Sequence, residues 1–357
     1  MRDYAAFTTL IVTKLQSAGT MDFSVAEVDY AVEEGLKEYS TFKPHIVPIL
    51  FQIESRYGTT STAASTLTDT TKLQFLATDD DNEKVVHDTT NNGWAVVKTA
   101  STSTSVLVLN ASILTANDSY EIYNKRCWNN KQVYIGDVLP LINDIESVEY
   151  PIGTKRNWSL PSEGVLEIGA DYVPDSNANT AVVTNSPDVN VIVRFYRAHQ
   201  LSSMTDWVGA AGSAGASVGA TTMTYTGLAV SNTIKEGYEF NITTHKQSYI
   251  VTANTTASTA GAGTVPFYPP LEAAVAASTG ITFIKSTLNP HEEEIFADLV
   301  AARLAINKAP KYFNAISLGG GNVWQNFLTW GERRLGEVLS KLRRLSPPKT
   351  KSTYPKD

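Results

Sequence analysis

Histidine side chains are the groups in this sequence best suited to binding a metal or moving a proton near neutral pH. There are five of them, each in a different segment: His45, His87, His199, His245 and His291. No two have the i, i+4 spacing that would let two imidazoles share a metal ion on one face of a helix. The string HEEE at His291 lacks the second histidine of a zinc helix, and acids in a first helical turn are explained by the helix dipole. The sequence therefore predicts no metal site.

Carboxylates, glycines and a cysteine form three further patterns that could belong to reactive sites. Asp79, Asp80 and Asp81 lack the alternating spacing of a calcium loop and are typical of a solvated turn, although an acid pair for glycoside hydrolysis stays open. The glycines at 319–321 lack the Lys-Ser/Thr pair of a phosphate loop and predict a flexible hinge. Cys127 is the only cysteine, which excludes an intramolecular disulfide. We expect no catalytic residues and no cofactor, and so no enzyme.

Three aromatic side chains in Thr/Ser-rich segments are the remaining candidates for ligand binding. Trp94, Tyr225 and Tyr249 could stack on sugar rings if the segments around them are binding modules. The alternative, which we favour, is that they fill the small cores of β domains. A carbohydrate-binding or adhesion protein is therefore the second functional hypothesis.

Basic residues are concentrated at the carboxyl end of the chain. From Trp324 onward there are eight basic and three acidic residues, so this end carries +5, while the remainder carries −12 of the overall −7. Such an end indicates a negatively charged partner, either an acidic protein surface or nucleic acid, or else a solvated helix end. The basic residues are Arg333, Arg334, Lys341, Arg343, Arg344, Lys349, Lys351 and Lys356.

The elements that would position these residues begin with a strongly specified helix after Ser24. Ser24 and Glu27 form a predicted capping box, Phe23 can pack on Val28, and Pro44 ends the helix. Its predicted core-facing stripe is Val25, Val28, Val32, Leu36 and Tyr39, with the acids mostly elsewhere. Similar patterns predict helices at about 3–18, from Pro290 after a cap at Asn289, and at 323–345.

Two stretches between the helical ends differ from the rest of the chain in composition and pattern. Short alternating runs within 59–125 and 209–286 are typical of small antiparallel β domains, and a Gly/Ala/Ser-rich linker from Gly209 leads into the second. The middle section contains the core strand VIVRFY, which can pair with the strand near Ile46. The predicted fold class is α+β, a discontinuous helical core with a middle β section and two inserted small antiparallel β domains. The predicted domains are 1–58 (N-terminal helices and first core strand), 59–125 (first insert), 126–208 (core β section), 209–286 (second insert), 287–346 (C-terminal helices) and 347–357 (basic tail).

Composition bounds the class of protein. A hydrophobic content of 42% with 18% charged residues is typical of a folded, soluble chain. The sequence shows neither a signal peptide nor an apolar run of about twenty residues that could span a membrane. We therefore expect no export by a signal peptide and no membrane partner.

The order of these segments resembles the head-to-tail connector, or neck adaptor, proteins of tailed bacteriophages. The similarity lies in DYAVEEGLKEYSTFKP near the start, in WQNFLTWGERRLGEVLSKLRRL near the end, and in two inserts that look like the β modules of phage structural proteins. The resemblance implies a dodecameric ring under the portal, in the virion neck between capsid and tail, after assembly in the host cytoplasm. It also implies contact with the portal, with a tail or nozzle protein, and with DNA passing through the channel. The second hypothesis then becomes an adhesion protein of the phage tail.

The same resemblance assigns roles to two sets of residues. The residues expected to contact portal or DNA are Arg333, Arg334, Lys341, Arg343, Arg344, Lys349 and Lys351. A second surface is expected on the helix after Ser24, where an acidic face is free to meet a neighbouring copy or the basic C-terminal helix. That face comprises Glu27, Glu33, Glu34 and Glu38.

Overall fold

A computed structural model describes most of the chain. The described residues are 4–15, 23–54, 56–61, 64–76, 79, 83–100, 105–141, 144–170, 190–201, 208–228, 233–284, 286–312 and 323–345. They fall into two compact units. The first unit takes the described residues of Met1–Val47 and Tyr196–Lys349, with Asp144, and the second takes those of Pro48–Leu141 and Ile145–Phe195. No helix in these ranges combines the length and the apolar character that crossing a membrane requires.

The described part of the first unit contains four α-helices. They are α1 (Tyr4–Lys14), α2 (Val25–Phe42), α3 (Pro290–Tyr312) and α4 (Val323–Leu345). The capping box predicted at the start of α2 is confirmed: the Glu27 N–H donates to Ser24 Oγ, and the Glu27 carboxylate accepts from the Ser24 N–H.

The predicted stripe of α2 is confirmed except at its first position. Val28, Val32 and Tyr39 are buried, but Val25 is 64% exposed, so its assignment to the core was wrong. Val25 is the first residue of the helix, and Phe23, which precedes the cap, is buried in the core at this end instead. The core contact of the helix therefore begins one turn later than the apolar pattern indicates.

Helix α3 lies at the centre of the helical core. The Phe296 ring meets Phe7 of α1 edge-to-face at 5.5 Å between centroids, and Tyr39 of α2 at 5.9 Å. Val338 and Leu342 of α4 are buried in the same cluster, and Phe327, Leu335 and Leu339 are partly buried against it. Both ends of the chain thus contribute to one discontinuous core.

Strand β1 (His45–Gln52) runs from the first unit into the second, where the first β domain follows. The strands of that domain are β2 (Tyr57–Thr59), β3 (Thr66–Thr68), β4 (Val85–Asp88), β5 (Gly93–Ala100), β6 (Val106–Leu109) and β7 (Ser119–Tyr123). These described strands form one antiparallel sheet in the order β2-β7-β4-β5-β6-β3. The two ends of the domain meet, because the Asn124 side-chain amide donates to the Gln52 carbonyl at 2.9 Å and the Ile122 N–H donates to the Arg56 carbonyl at 2.8 Å.

The middle section supplies the strands that complete the second unit. They are β8 (Gln132–Tyr134), β9 (Asp144–Glu149), β10 (Lys155–Arg156), β11 (Trp158–Ser162), β12 (Val165–Ile168) and β13 (Asn190–Arg197), with a short 3-10 helix at Leu139–Leu141. One sheet has the order β1-β13-β9-β10 and another the order β11-β12-β8. The predicted pairing of VIVRFY with the strand near Ile46 is confirmed, because β13 lies beside β1.

The second β domain is a closed barrel within the first unit. Its strands are β14 (Val208–Ala211), β15 (Thr222–Thr226), β16 (Thr233–Ile234), β17 (Glu239–Ile242), β18 (Ser248–Val251), β19 (Thr255–Thr256), β20 (Gly263–Tyr268) and β21 (Gly280–Phe283). The barrel closes in the order β14-β15-β20-β18-β17-β21, while β16 pairs with β19. Its ends also meet, because Leu201 bridges Ser286 and the Thr287 N–H donates to the Gln200 carbonyl at 3.0 Å. The predicted α+β class with two inserted β domains is confirmed.

The prediction of a Gly/Ala/Ser-rich linker from Gly209 was wrong. Gly209 lies in β14 and pairs with Ile281, and the Gly212 N–H donates to the Thr224 carbonyl at 2.8 Å. A Cβ at Gly212 would lie 2.2 Å from Thr224 Oγ1, so the small residues serve close strand packing and not flexibility.

Candidate functional site

Helix α4 carries four exposed basic side chains, here called the α4 basic surface: Arg333, Lys341, Arg343 and Arg344. The Arg333 side chain is 83% exposed even though its Nε lies 3.4 Å from Glu337 Oε1. Exposed pairs of this kind contribute little to stability, so the Arg333 charge remains available to a partner. Lys349 and Lys351, which were predicted to act with these residues, lie outside the described residues.

Arg334 is held differently, against the helical core. It donates to Asp298 Oδ2 of α3 at 2.8 Å and to Glu337 Oε2 at 3.0 Å, and the bond to Asp298 raises the pKa of the guanidinium. Lys14 of α1 contacts Asp298 Oδ1 at 2.8 Å from another direction. The structure therefore ties Arg334 to α3, and its predicted contact with a partner would compete with these bonds.

A cavity of about 380 Å³ opens at this point of the first unit. Its lining residues are Lys14, Asp298, Trp330, Arg333, Arg334 and Glu337. Trp330 is exposed and stands one helical turn before Arg333. Tryptophan and arginine are the side chains most enriched among the residues that dominate protein interfaces. The cavity thus places a potential anchor beside the α4 basic surface.

The predicted acidic face of α2 divides into two pairs. Glu38 accepts two hydrogen bonds from Arg303 of α3, at 2.6 and 2.9 Å, and Glu27 lies 3.4 Å from Lys308 of the same helix. The hydrogen bond from the Ser24 backbone also lowers the pKa of Glu27. These two acids bind α3 within the subunit, so the prediction that the whole face is free was wrong. Glu33 and Glu34 are exposed.

A buried polar junction in the first unit escaped the sequence analysis. His199 Nε2 lies 2.9 Å from the Lys43 carbonyl, which can only accept, so this nitrogen carries the proton and Nδ1 accepts from the Thr287 hydroxyl at 2.9 Å. Burial, and to a smaller extent the charge of His45, lower the pKa of His199 to about 4. His45 itself lies 2.8 Å from the buried carboxylate of Glu239. Only the fold brings these residues together, so no local spacing could reveal them.

A buried ionic cluster in the second unit also escaped prediction. Arg56 forms paired hydrogen bonds with Glu54, at 2.7 and 2.9 Å, and with Asp79, at 2.7 and 2.9 Å, while Lys84 lies 2.9 Å from Glu54. Burial alone would raise the pKa of Glu54, but the charges of Arg56 and Lys84 outweigh it and lower that pKa. The interpretation of Asp79 as part of a solvated turn was wrong, since Asp79 is 0% exposed; its two acidic neighbours lie outside the described residues.

The three candidate aromatics do not share one environment. Tyr225 and Tyr249 are buried in the barrel, which confirms that they fill its core. Trp94 is 42% exposed on the first β domain, so it does not fill a core. Only Trp94 of the three could therefore stack on a sugar in the described fold.

Neither a search for metal ligands nor comparison with known proteins points to a function. Within the described ranges, no three His, Cys, Asp or Glu side chains converge as metal ligands would. No protein-family model matches the chain, and no curated protein or solved structure is significantly similar to it. The function is therefore inferred from the surfaces of the molecule itself.

Proposed function

We propose that this protein is a structural, non-enzymatic adaptor of a tailed bacteriophage virion. Copies of the chain form a ring, dodecameric as the resemblance to connector proteins implies, in the neck between the portal and the tail. The ring binds the portal on one side and a tail or nozzle protein on the other, and packaged DNA passes through it. The chain is made in the host cytoplasm and acts in the virion.

One observation carries this proposal: exposed charges of opposite sign lie on two helices that both pack against α3. Helix α2 exposes Glu33 and Glu34, and α4 exposes its basic surface. A ring needs a contact between two different surfaces of the same chain, and complementary charge favours such a contact over self-association of either surface. Exposed aromatics stand beside both, Tyr30 one turn before Glu33 and Trp330 one turn before Arg333. These aromatic side chains supply the apolar contact area that charged groups alone do not provide at an interface.

The net charge of the chain suits a conduit for DNA. At −7 overall, the chain would repel a passing duplex rather than hold it. The end of α4, with Arg343 and Arg344, leads toward the predicted contact residues Lys349 and Lys351. We place portal contact at this end, because an acidic portal surface would attract it.

A charge-exchange experiment tests the ring contact. One variant carries Glu33→Lys and Glu34→Lys, and a second carries Arg333→Glu and Lys341→Glu, which leaves Arg343 and Arg344 at the portal end unchanged. Each is mixed with the portal protein of the same virus, and ring formation is followed by mass photometry and negative-stain imaging. We expect each variant alone to fail, because like charges then face each other, and an equimolar mixture to form alternating rings.

The matched control carries the same charge change at exposed sites away from the helices, Glu163→Lys in the turn between β11 and β12 and Glu236→Lys in the second β domain. It should form rings as the unmodified chain does. Rings formed by either reversed variant alone would exclude the contact between α2 and α4. Failure of the unmodified chain to bind portal at all would overturn the adaptor function.

A further inference from the structure

A row of four side chains crosses the outer face of the first β domain. Tyr57 of β2 is opposite Glu121 of β7, Glu121 is opposite His87 of β4, and His87 is opposite Trp94 of β5. Residues opposite each other in an antiparallel sheet share a face, and strands lie about 4.8 Å apart, so the row spans roughly 14 Å. The alternate residues Val86, Ala95 and Ile122 are buried in the core of the domain, so the row lies on the opposite face.

A cavity of about 490 Å³ lies at the β2 end of this row. Tyr57 and Glu121 line it, and Lys72 closes one side with its Nζ 3.5 Å from the centroid of the Tyr57 ring. The Lys72 ammonium also donates to the Tyr57 carbonyl at 2.6 Å, which fixes the lysine in place. Hydroxyl groups complete the lining, from Thr59, Thr71, Thr89 and Ser119. Asp69 and Tyr120, which are hydrogen-bonded to each other, also line it, so the cavity combines two aromatic rings, two carboxylates, one ammonium group and several hydroxyls.

Trp94 forms the other end of the row. Its ring stacks on the His87 imidazole at 3.9 Å between centroids and 14° between planes. His87 Nε2 is itself held by Asn92 Oδ1 at 3.0 Å. The stack fixes the orientation of the indole while 42% of the side chain stays exposed. An exposed tryptophan held by a neighbouring ring is preorganised for binding, because little side-chain conformational entropy is lost when a ligand packs on it.

We propose that this row and its cavity bind an uncharged oligosaccharide lying across the strands. A sugar ring presents C–H groups that pack on an aromatic ring and hydroxyls that donate to a carboxylate, and the row offers both, with Tyr57 and Trp94 at its ends and Glu121 between them. The Tyr123 hydroxyl donates to Oε2 of Glu121, so Oε1 is the oxygen that would accept from a sugar. The cavity is lined by two acids, Asp69 and Glu121, and one base, Lys72, whereas nucleic acid requires an excess of basic charge. The site lies apart from α2 and α4 in the chain, so the inference does not depend on ring formation.

The test uses the full chain and uncharged glycans. A printed glycan array is screened first, and the saccharide with the strongest signal is then titrated by calorimetry, with maltohexaose, cellohexaose and chitohexaose included as soluble probes. We expect at least one uncharged oligosaccharide to bind. The variants Trp94→Ala and Tyr57→Ala should each weaken that binding about tenfold or more, as removal of an aromatic anchor does.

Three control variants separate the site from general effects. Trp128→Ala removes a tryptophan of similar exposure, 44%, outside the row and should bind normally. Tyr57→Phe keeps the ring and should retain most of the affinity, while Glu121→Gln should weaken binding without loss of the folded circular dichroism spectrum. Absence of binding to every uncharged glycan, or equal binding by the Trp94→Ala and Trp128→Ala variants, overturns the proposal. Binding confined to anionic glycans or to DNA overturns it in favour of an electrostatic surface.

Discussion

Both ring nitrogens of His199 are hydrogen-bonded, and the side chain is buried. Nε2 donates to the Lys43 carbonyl and Nδ1 accepts from Thr287, so a second proton on Nδ1 would face a hydroxyl that must turn away from it. Of the charged neighbours, His45 lowers the pKa of His199 and Glu292 raises it, and burial is the largest cause of the net decrease. Three separate segments of the first unit meet at this junction, through Lys43, His199 and Thr287. Protonation of His199 would therefore affect the stability of the first unit as a whole.

The first prediction concerns this protonation. The pKa of His199 is about 4 when folded and 6.5 in the reference state, so below pH 6.5 the unfolded chain binds a proton that the folded chain does not. The free energy of unfolding should therefore fall as pH decreases from 6.5 to about 4, by on the order of 3 kcal/mol. Urea denaturation at a series of pH values measures it. His199→Gln should remove this part of the slope, and an unchanged slope would contradict the assignment.

Single residues also show where sequence reasoning reaches its limit. The capping residues Ser24 and Glu27 are predictable because both partners lie within one turn. The pairing of Arg56 with Asp79 is not, because the two are 23 residues apart with β2 and β3 between them, and because a run of acids usually lies in solvent. Breaking such a buried pair costs about 3–5 kcal/mol, so Arg56 matters for the fold although no motif marks it.

At the scale of elements, the helices were predictable and some of the strands were not. The bounds of α4 agree with its periodicity, and α3 begins at Pro290 as predicted. Helical signals are local, since caps, stripes and proline act over a few residues. The first barrel strand was taken for a linker because Gly and Ala are poor strand formers in isolation, and their role depends on Thr224 packing above Gly212. For the candidate site, the exposed bases of α4 were predictable, but the bonds of Glu27 and Glu38 to α3 were not.

Two glycines of α4 give the prediction at this scale. A Cβ at Gly331 would lie 2.7 Å from Ile306 Cγ1 and 3.0 Å from the Ala302 carbonyl oxygen of α3, whereas a Cβ at Gly336 would meet nothing within 4 Å. Gly336→Ala should stabilise the helical core by about 0.8–1 kcal/mol through helix propensity. Gly331→Ala gains the same propensity but forces α4 away from α3, so we expect a net loss of about 1 kcal/mol. Thermal unfolding followed by circular dichroism compares them, and equal shifts for the two variants would disprove close packing at Gly331.

At the scale of the whole molecule, the arrangement of two β domains inserted in a discontinuous core was predictable from changes in composition and hydrophobic pattern along the chain. Thr/Ser-rich alternating runs begin and end abruptly, and the helical patterns resume after them. The closure of the barrel and the order of the strands were not predictable, because they depend on long-range pairing that composition does not encode.

The prediction at this scale concerns removal of a domain. The first β domain begins after Gln52 and ends before Asn124, and the Asn124 side chain is hydrogen-bonded to the Gln52 carbonyl. Replacement of residues 54–122 by a short Gly/Ser linker should therefore leave the rest folded, and it retains Tyr123, which packs with Cys127 and Val165. Circular dichroism and ring formation with portal are measured. A chain that is insoluble or has lost its helical signal would show that the domain is required for folding.

The joined ends of both β domains have a consequence for how such a protein changes over time. A domain whose two ends are hydrogen-bonded to each other can be gained, lost or exchanged as a unit during evolution. After its removal, the two neighbouring residues of the remaining chain are already close enough to be joined, so the helical core and the middle strands need not rearrange. Gln52 with Asn124, and Leu201 with Ser286, are then natural grafting points for a foreign domain. The same helical frame could display different outer surfaces as its surroundings change.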